Sequence, residues 1–161
     1  MEGYTFLPAR YEDIPEIVSI YRSLVGTPGC TWDNEYPSRE TAEEDLDSGS
    51  LYILKQDGKI VAVVSAGDFG ELGDLPWTPK NPCELARIGV IPAMQGRGIG
   101  TMILQNIMKA MKDKGFDGIR MLVSPTNPAA LALYEKNGFE RCGETVRFDK
   151  DWRCYQIAFD R

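Results

Sequence analysis

The residues from Gln95 to Thr101 read QGRGIGT, with glycine at 96, 98 and 100. An apolar helical pattern follows directly, so the glycines sit where a helix must begin. A strand that runs into glycines and then a helix presents free backbone N–H groups at the positive end of the helix dipole. That is an anion site, suited to a phosphate or pyrophosphate. Glycine lets the backbone approach the anion with no β-carbon in the way, and Arg97 could add a charge-assisted contact. Two nucleotide patterns fit poorly. The phosphate loop GxxxxGK[ST] lacks its lysine here. The dinucleotide pattern GxGxxG would need glycine at Thr101 and a place near the first strand of a repeated βαβ array. A glycine-rich turn with no ligand is the alternative to an anion site.

The rest of the composition restricts the chemistry. The 161 residues include no histidine, which removes Ser-His-Asp and Cys-His mechanisms and any zinc site built on imidazole. An acid or base must then be Asp, Glu, Tyr, Cys, Lys or water, and no metal is expected. Cys30, Cys83, Cys142 and Cys154 form no CxxC pair and read as reduced, mostly buried small residues. A formal charge of -6, from 24 acidic and 18 basic residues, argues against nucleic acid as the main partner and suits a small cationic substrate. No apolar run approaches the roughly 18 residues that span a bilayer, so no membrane partner is expected. The start lacks the basic end and apolar core of a signal peptide, so the expected location is cytoplasmic.

Several elements must position the glycines. Residues 4–9 read as a strand. Ile14, Ile17, Val18, Tyr21, Leu24 and Val25 mark an amphipathic helix with acids in its first turn. A loop over 26–37 holds Trp32, Asp33, Glu35 and Tyr36, and Ser38 is the N-cap of a short acidic helix to about Asp47. Asp57-Gly58 turns a hairpin between branched strands. Residues 68–82 form an irregular connection that could border a substrate site. A strand over 83–91, the glycines and a helix to about Lys114 follow. A strand over 119–123 precedes a helix capped by Asn127-Pro128 and ended by Asn137-Gly138. A final hairpin runs around residues 149–151. Pairing Phe148 with Trp152 would set Cys142 opposite Ala158 and Cys154 opposite Val146, which disfavours a disulfide. The order β-α-α-β-β-β-α-β-α-β-β predicts one mixed α/β domain over residues 1–161.

The run from Glu84 to Phe139 resembles the core of GNAT-type N-acetyltransferases. Their first signature is a strand ending in a Val-x-Pro-like step, then Gln/Arg-x-x-Gly-x-Gly/Ala opening a helix. This chain has Val90-Ile91-Pro92, then Gln95-Gly96-Arg97-Gly98-Ile99-Gly100. Their second is an Asn, an alanine-rich helix, then Tyr, Lys and Gly-Phe, matched by Asn127, Ala130, Leu133-Tyr134, Lys136 and Gly138-Phe139. The resemblance implies a mostly antiparallel mixed sheet flanked by helices, with acetyl-CoA as cosubstrate. Amides from Gln95 through Gly96, Arg97, Gly98, Ile99 and Gly100 to Thr101 would hold its pyrophosphate, and Ile88 and Val90 would pair with its pantetheine arm. Asn127 is primarily an N-cap, to which the resemblance adds a coenzyme contact.

The same resemblance implies transfer of an acetyl group to a primary amine by direct attack in a ternary complex. Tyr134 is then the general acid and Glu84 the candidate base. By period two, Glu84 would share a strand face with Ala86, Ile88 and Val90. The alternative for Glu84 is a strand residue in a salt bridge, and Asp33, Glu35, Asp68 or water could be the base instead. Trp32, Asp33 and Tyr36 would meet a small-molecule or peptide amine through cation–π and charge contacts, or else simply pack the loop. A non-catalytic acyl-CoA-binding module on the same fold is the competing reading. Members of the family are often dimers, and the C-terminal hairpin could supply such an interface.

Overall fold

The computed structural model describes residues 3–75 and 77–159. The elements are β1 (Tyr4–Pro8), α1 (Ile14–Leu24), α2 (Arg39–Asp47), β2 (Leu51–Gln56), β3 (Lys59–Gly67), β4 (Pro82–Val90), α3 (Ile99–Asp113), β5 (Gly118–Val123), α4 (Pro128–Lys136), β6 (Glu140–Arg147) and β7 (Lys150–Ala158). They occur in the expected order. The strands form one 7-stranded sheet ordered β1-β2-β3-β4-β5-β7-β6, antiparallel throughout except where β4 meets β5.

Both faces of the sheet are covered. α3 turns Ile99, Ile103, Leu104, Ile107 and Met111 inward at steps of three and four, and α4 adds Leu131 and Tyr134 to the same core. On the other face α1 buries Ile14, Ile17, Ile20, Tyr21 and Leu24. Each such aliphatic side chain is worth about 1.5–3 kcal/mol of burial. Ser38 caps α2 as its sequence predicts, accepting from the Thr41 amide at 3.2 Å. Asp57 and Gly58, both at positive φ, make the two-residue turn between β2 and β3.

Two local departures bear on the site. In β4, Ala86 pairs with Ser65 and Gly89 with Val63, so Arg87 and Ile88 together oppose Val64. This bulge puts Arg87 at φ 51 and interrupts the alternation. Leu85 belongs to the core under α3, and Ile88 and Val90 pack against that same core. Glu84 therefore does not share a face with Ile88 and Val90, and the period-two expectation fails. In the last hairpin, Phe148 and Asp149 both take positive φ and make a two-residue turn of the kind that right-twisted strands favour. Arg147 then pairs with Lys150 and Thr145 with Trp152, and a second irregularity falls at Cys142. The expected Phe148–Trp152 register is thus wrong, and Cys142 lies beside Cys154, its Sγ 3.5 Å from the Cys154 carbonyl oxygen. Both thiols are free.

Candidate active site

β4 and β5 run parallel for only three residue pairs, Pro82 with Gly118 to Glu84 with Arg120. β5 stays paired with β7 along its whole length, from Gly118 to Val123. β4 stays with β3 and is bent by its bulge, so the two strands part beyond Glu84. The gap opens into a cleft of about 1400 Å³ that reaches from the α1–α2 loop to the start of α3. The Ile91 amide donates to Val61 O at 3.0 Å. One residue earlier, alternation turns the Val90 N–H and C=O the other way, toward the gap. The Val90 carbonyl accepts from Gln95 Nε2 at 3.1 Å.

The glycine stretch lines one end of this cleft. Gly96 and Gly98 have φ of 77 and 80, a left-handed region open to glycine at no steric cost. A β-carbon at either would have nothing within 4 Å, whereas one at Gly100 would meet Leu133 Cδ2 at 3.3 Å. Gly96 and Gly98 thus serve an open concavity, while Gly100 serves the close packing of α3 on α4. The first i→i−4 bond of α3 is from Met102 to Gly98. Among the described residues the amides of Arg97 to Thr101 have no acceptor. The Gln95 amide differs, since it donates to Pro92 O at 3.3 Å. Asn127 Oδ1 accepts from the Ala130 amide at 3.1 Å, capping α4, and a β-carbon at Gly29 would lie 2.9 Å from Asn127 Cα. The α1–α2 loop therefore closes against the start of α4.

Tyr134 stands on the wall between these features, 3% exposed and lining the cleft. Its ring lies 5.6 Å from that of Phe139. Its hydroxyl has no hydrogen-bond partner among the described residues. Burial pushes this phenol well above its ordinary pKa, so it is protonated throughout the neutral range.

Glu84 is in the opposite situation. It is also 3% exposed, but its carboxylate accepts four hydrogen bonds. Oε2 accepts from Arg120 Nη2 at 2.7 Å and Nε at 3.1 Å, and the amides of Glu71 and Leu72 donate to Oε1 and Oε2 at 3.2 Å each. The pair Glu84–Arg120 is the last rung before the strands separate. This is the salt-bridge alternative for Glu84, and it ties the connection 68–82 to the apex of the gap. Asp68, Phe69, Glu71 and Leu72 of that connection line the cleft, as its sequence suggests. Trp77 instead packs the connection down, with Nε1 donating to Leu72 O at 2.7 Å.

The loop residues divide. Trp32 meets Tyr21 edge-on at 5.5 Å and would touch a β-carbon at Gly89 at 3.5 Å, so it lies over the bulged part of β4. Asp33 shapes its own loop: Oδ1 accepts from the Glu35 and Tyr36 amides at 2.8 Å each. Those bonds hold its carboxyl below the usual range. All three of Trp32, Asp33 and Tyr36 line the cleft. The Tyr36 hydroxyl accepts from Arg87 Nη1 at 3.1 Å. Arg87 also grips Asp45 of α2, Nε to Oδ2 and Nη2 to Oδ1, both at 2.8 Å. Sequence reasoning passed over Arg87, Asp45 and Arg120. One arginine in each of two apolar strands was the only signal, and the acid that each one grips lies 42 residues away for Arg87 and 36 for Arg120.

The sequence profile of the acetyltransferase (GNAT) family matches residues 17–139. The chain belongs to the GNAT acetyltransferase family. Among curated relatives, a putative phosphinothricin acetyltransferase, YwnH of Bacillus subtilis strain 168, is 26% identical over 140 residues, 84% of this chain and 83% of that protein. A mycothiol acetyltransferase of Thermomonospora curvata is 26% identical over 120 residues, 73% of this chain but only 36% of the relative. This GNAT chain thus spans about a third of that protein's length. Among solved structures, yncA of Salmonella typhimurium, a putative acetyltransferase determined with its cofactor acetyl-CoA, superposes with a TM-score of 0.80 at 19% identity, over 99% of this chain and 96% of that one. The GNAT fold read from the sequence is therefore the fold observed. No described helix is long and apolar enough to cross a membrane.

Proposed function

We propose that the chain transfers an acetyl group from acetyl-CoA to a primary amine, with both substrates in the cleft at once. The observation that carries this reading is the β4–β5 gap, which joins the glycine concavity to an aromatic and acidic wall beside an unpartnered tyrosine hydroxyl. Acetyl-CoA supplies a thioester: its C–S bond is exchanged for a C–N bond, the amine gives up one proton and the thiol takes one.

The residues present fit that cosubstrate. The free amides of Arg97 to Thr101, with Arg97 beside them, suit a pyrophosphate. The Val90 N–H, turned into the gap, suits an extended amide-bearing arm paired as an added strand, with Ile88 and Asn127 beside it. Tyr134 keeps its proton at neutral pH and delivers it from Oη to the departing thiolate sulfur, while water in the cleft takes the amine's proton to solvent and the phenolate regains a proton before the next turnover. Glu84 positions the wall rather than accepting the amine's proton, because its carboxylate is paired with Arg120 and held by two loop amides. Trp32, Asp33, Tyr36 and the acids of the 68–82 connection receive the amine.

The test is thiol release with acetyl-CoA and a panel of amines, with initial rates at several concentrations of each. Intersecting double-reciprocal lines are expected for attack within a ternary complex. Parallel lines would overturn direct attack. Acetyl-CoA binding without thiol release by any amine would favour the non-catalytic binding module.

A further inference from the structure

We propose that Arg87 recognises a carboxylate on the acceptor, so that the amine acetylated is that of an amino acid or a close carboxylate-bearing analogue. This rests on the acetyl-transfer reading and names its substrate class.

Arg87 occupies an unusual position for a long side chain. The β4 bulge holds it at φ 51, and the same bulge moves it off the face that Leu85 and Ile88 share. Regular alternation would have sent it toward α3. Instead it lies toward α2, where its guanidinium is fixed from several sides. Asp45 takes the Nε and Nη2 donors, and the Ser65 hydroxyl donates to Asp45 Oδ2 at 2.6 Å, holding that carboxylate in turn. Phe69 lies under the guanidinium, 5.4 Å from ring centroid to Cζ. The Tyr36 hydroxyl meets Nη1. A guanidinium has five N–H donors. Three are used here, which leaves one on each terminal nitrogen. The side chain is 12% exposed and lines the cleft. A planar fork held in one orientation, with a donor left on each arm, suits bidentate capture of a carboxylate.

The surroundings favour a zwitterion over a simple cation. The exposed carboxylates of Glu44, Asp68 and Glu71 line the same cleft and attract an ammonium group. Arg87 is a cation of that cleft held rigidly by its neighbours. A ligand with both charges close together satisfies both. Arg87 is also one residue from Ile88 and three from Val90, whose amide faces the gap. A carboxylate held at Arg87 therefore leaves the amine a short reach from the acyl group. Phe69, Trp32 and Tyr36 flank the place for the amino acid's side chain.

The experiment compares matched acceptors on the full chain: phenylalanine, phenylalanine amide and phenethylamine, with the leucine series beside them. The readouts are thiol release and, separately, calorimetric binding of the N-acetyl products. The expected result is a kcat/KM at least roughly 100-fold higher for the free acid, since a site built to hydrogen-bond a group rejects analogues lacking it. N-acetyl amino acids should bind and N-acetyl amines should not. Arg87→Lys keeps the charge but not the fork, and should collapse the acid-over-amide ratio through KM while acetyl-CoA still raises Tm. Equal or better use of the amide or plain amine overturns the inference and leaves the acetyltransferase reading standing. Failure of every amine in the panel overturns both.

Discussion

Tyr134 and Glu84 are both buried at the cleft, yet their polar atoms differ completely in what they touch. Among the described residues the Tyr134 hydroxyl has no partner, so its removal leaves none of them unpaired. Tyr134→Phe should therefore keep the fold and the acetyl-CoA affinity while kcat falls about 100-fold, the scale of a lost general acid; a wild-type kcat would withdraw the assignment. Glu84 makes bonds to Arg120 and to two loop amides. Removing the charge leaves Arg120, largely buried, without its counter-ion. Glu84→Gln should cost about 3 kcal/mol of stability, as broken buried pairs do, and raise KM for the amine through the loosened 68–82 connection. Its pH–rate profile should match that of the parent enzyme. Unchanged stability with a lost basic limb would restore Glu84 as the base.

At the scale of elements, the strand–glycine–helix unit does what its residues require. Gly98 stands at the N-cap of α3 with φ 80 and empty space around it. A β-branched residue there is not excluded by neighbours but by its own backbone, at about 1–2 kcal/mol. Gly98→Val should relax the turn, misdirect the amides that follow it and weaken acetyl-CoA binding about tenfold or more, measured by calorimetry; unchanged affinity would move the pyrophosphate elsewhere. This unit was legible in the sequence because its signals are local: a glycine pattern, an apolar period, an N-cap. The Ser38, Asp57-Gly58 and Asn127 signals were legible for the same reason. The β4 bulge was not, because the two residues that form it, Arg87 and Ile88, carry no local signal such as glycine or proline. The β6–β7 register was missed by three residues, since Trp152 lies opposite Thr145 and not Phe148. Phe148 is 83% exposed at the tip, and nothing in its type announces a positive φ. For Glu84 the sequence leaves two readings, a base or a strand residue in a salt bridge, because its partner Arg120 is set only when β4 and β5 meet.

For the whole molecule, the sheet opens between β4 and β5, and several titratable groups buried in the two cores are neutral at pH 7. Burial pushes the Cys83 thiol from 9.0 up to about 12. Burial likewise raises Tyr21, whose hydroxyl is buried without a partner and close to Asp45, and Tyr134. Above pH 9 the unfolded chain releases the Cys83 proton while the folded chain keeps it. The unfolded state then binds fewer protons, so stability must fall as pH rises. The tyrosines add to this above their ordinary value of 10.0. Each such group removes about 1.4 kcal/mol per pH unit while the two states differ. The expected outcome is a Tm that holds between pH 7 and 8.5, in round terms, and then declines with increasing slope through pH 11. Cys83→Ala, which cannot ionise, should start lower by the cost of a small cavity and decline less steeply above pH 9, where Cys142 and Cys154, also raised by burial, still contribute. A Tm that stays level to pH 11 would mean that these groups ionise in the folded chain as they do in water. The core beneath the gap would then admit solvent, and Tyr134 would lose the burial that keeps its proton in place.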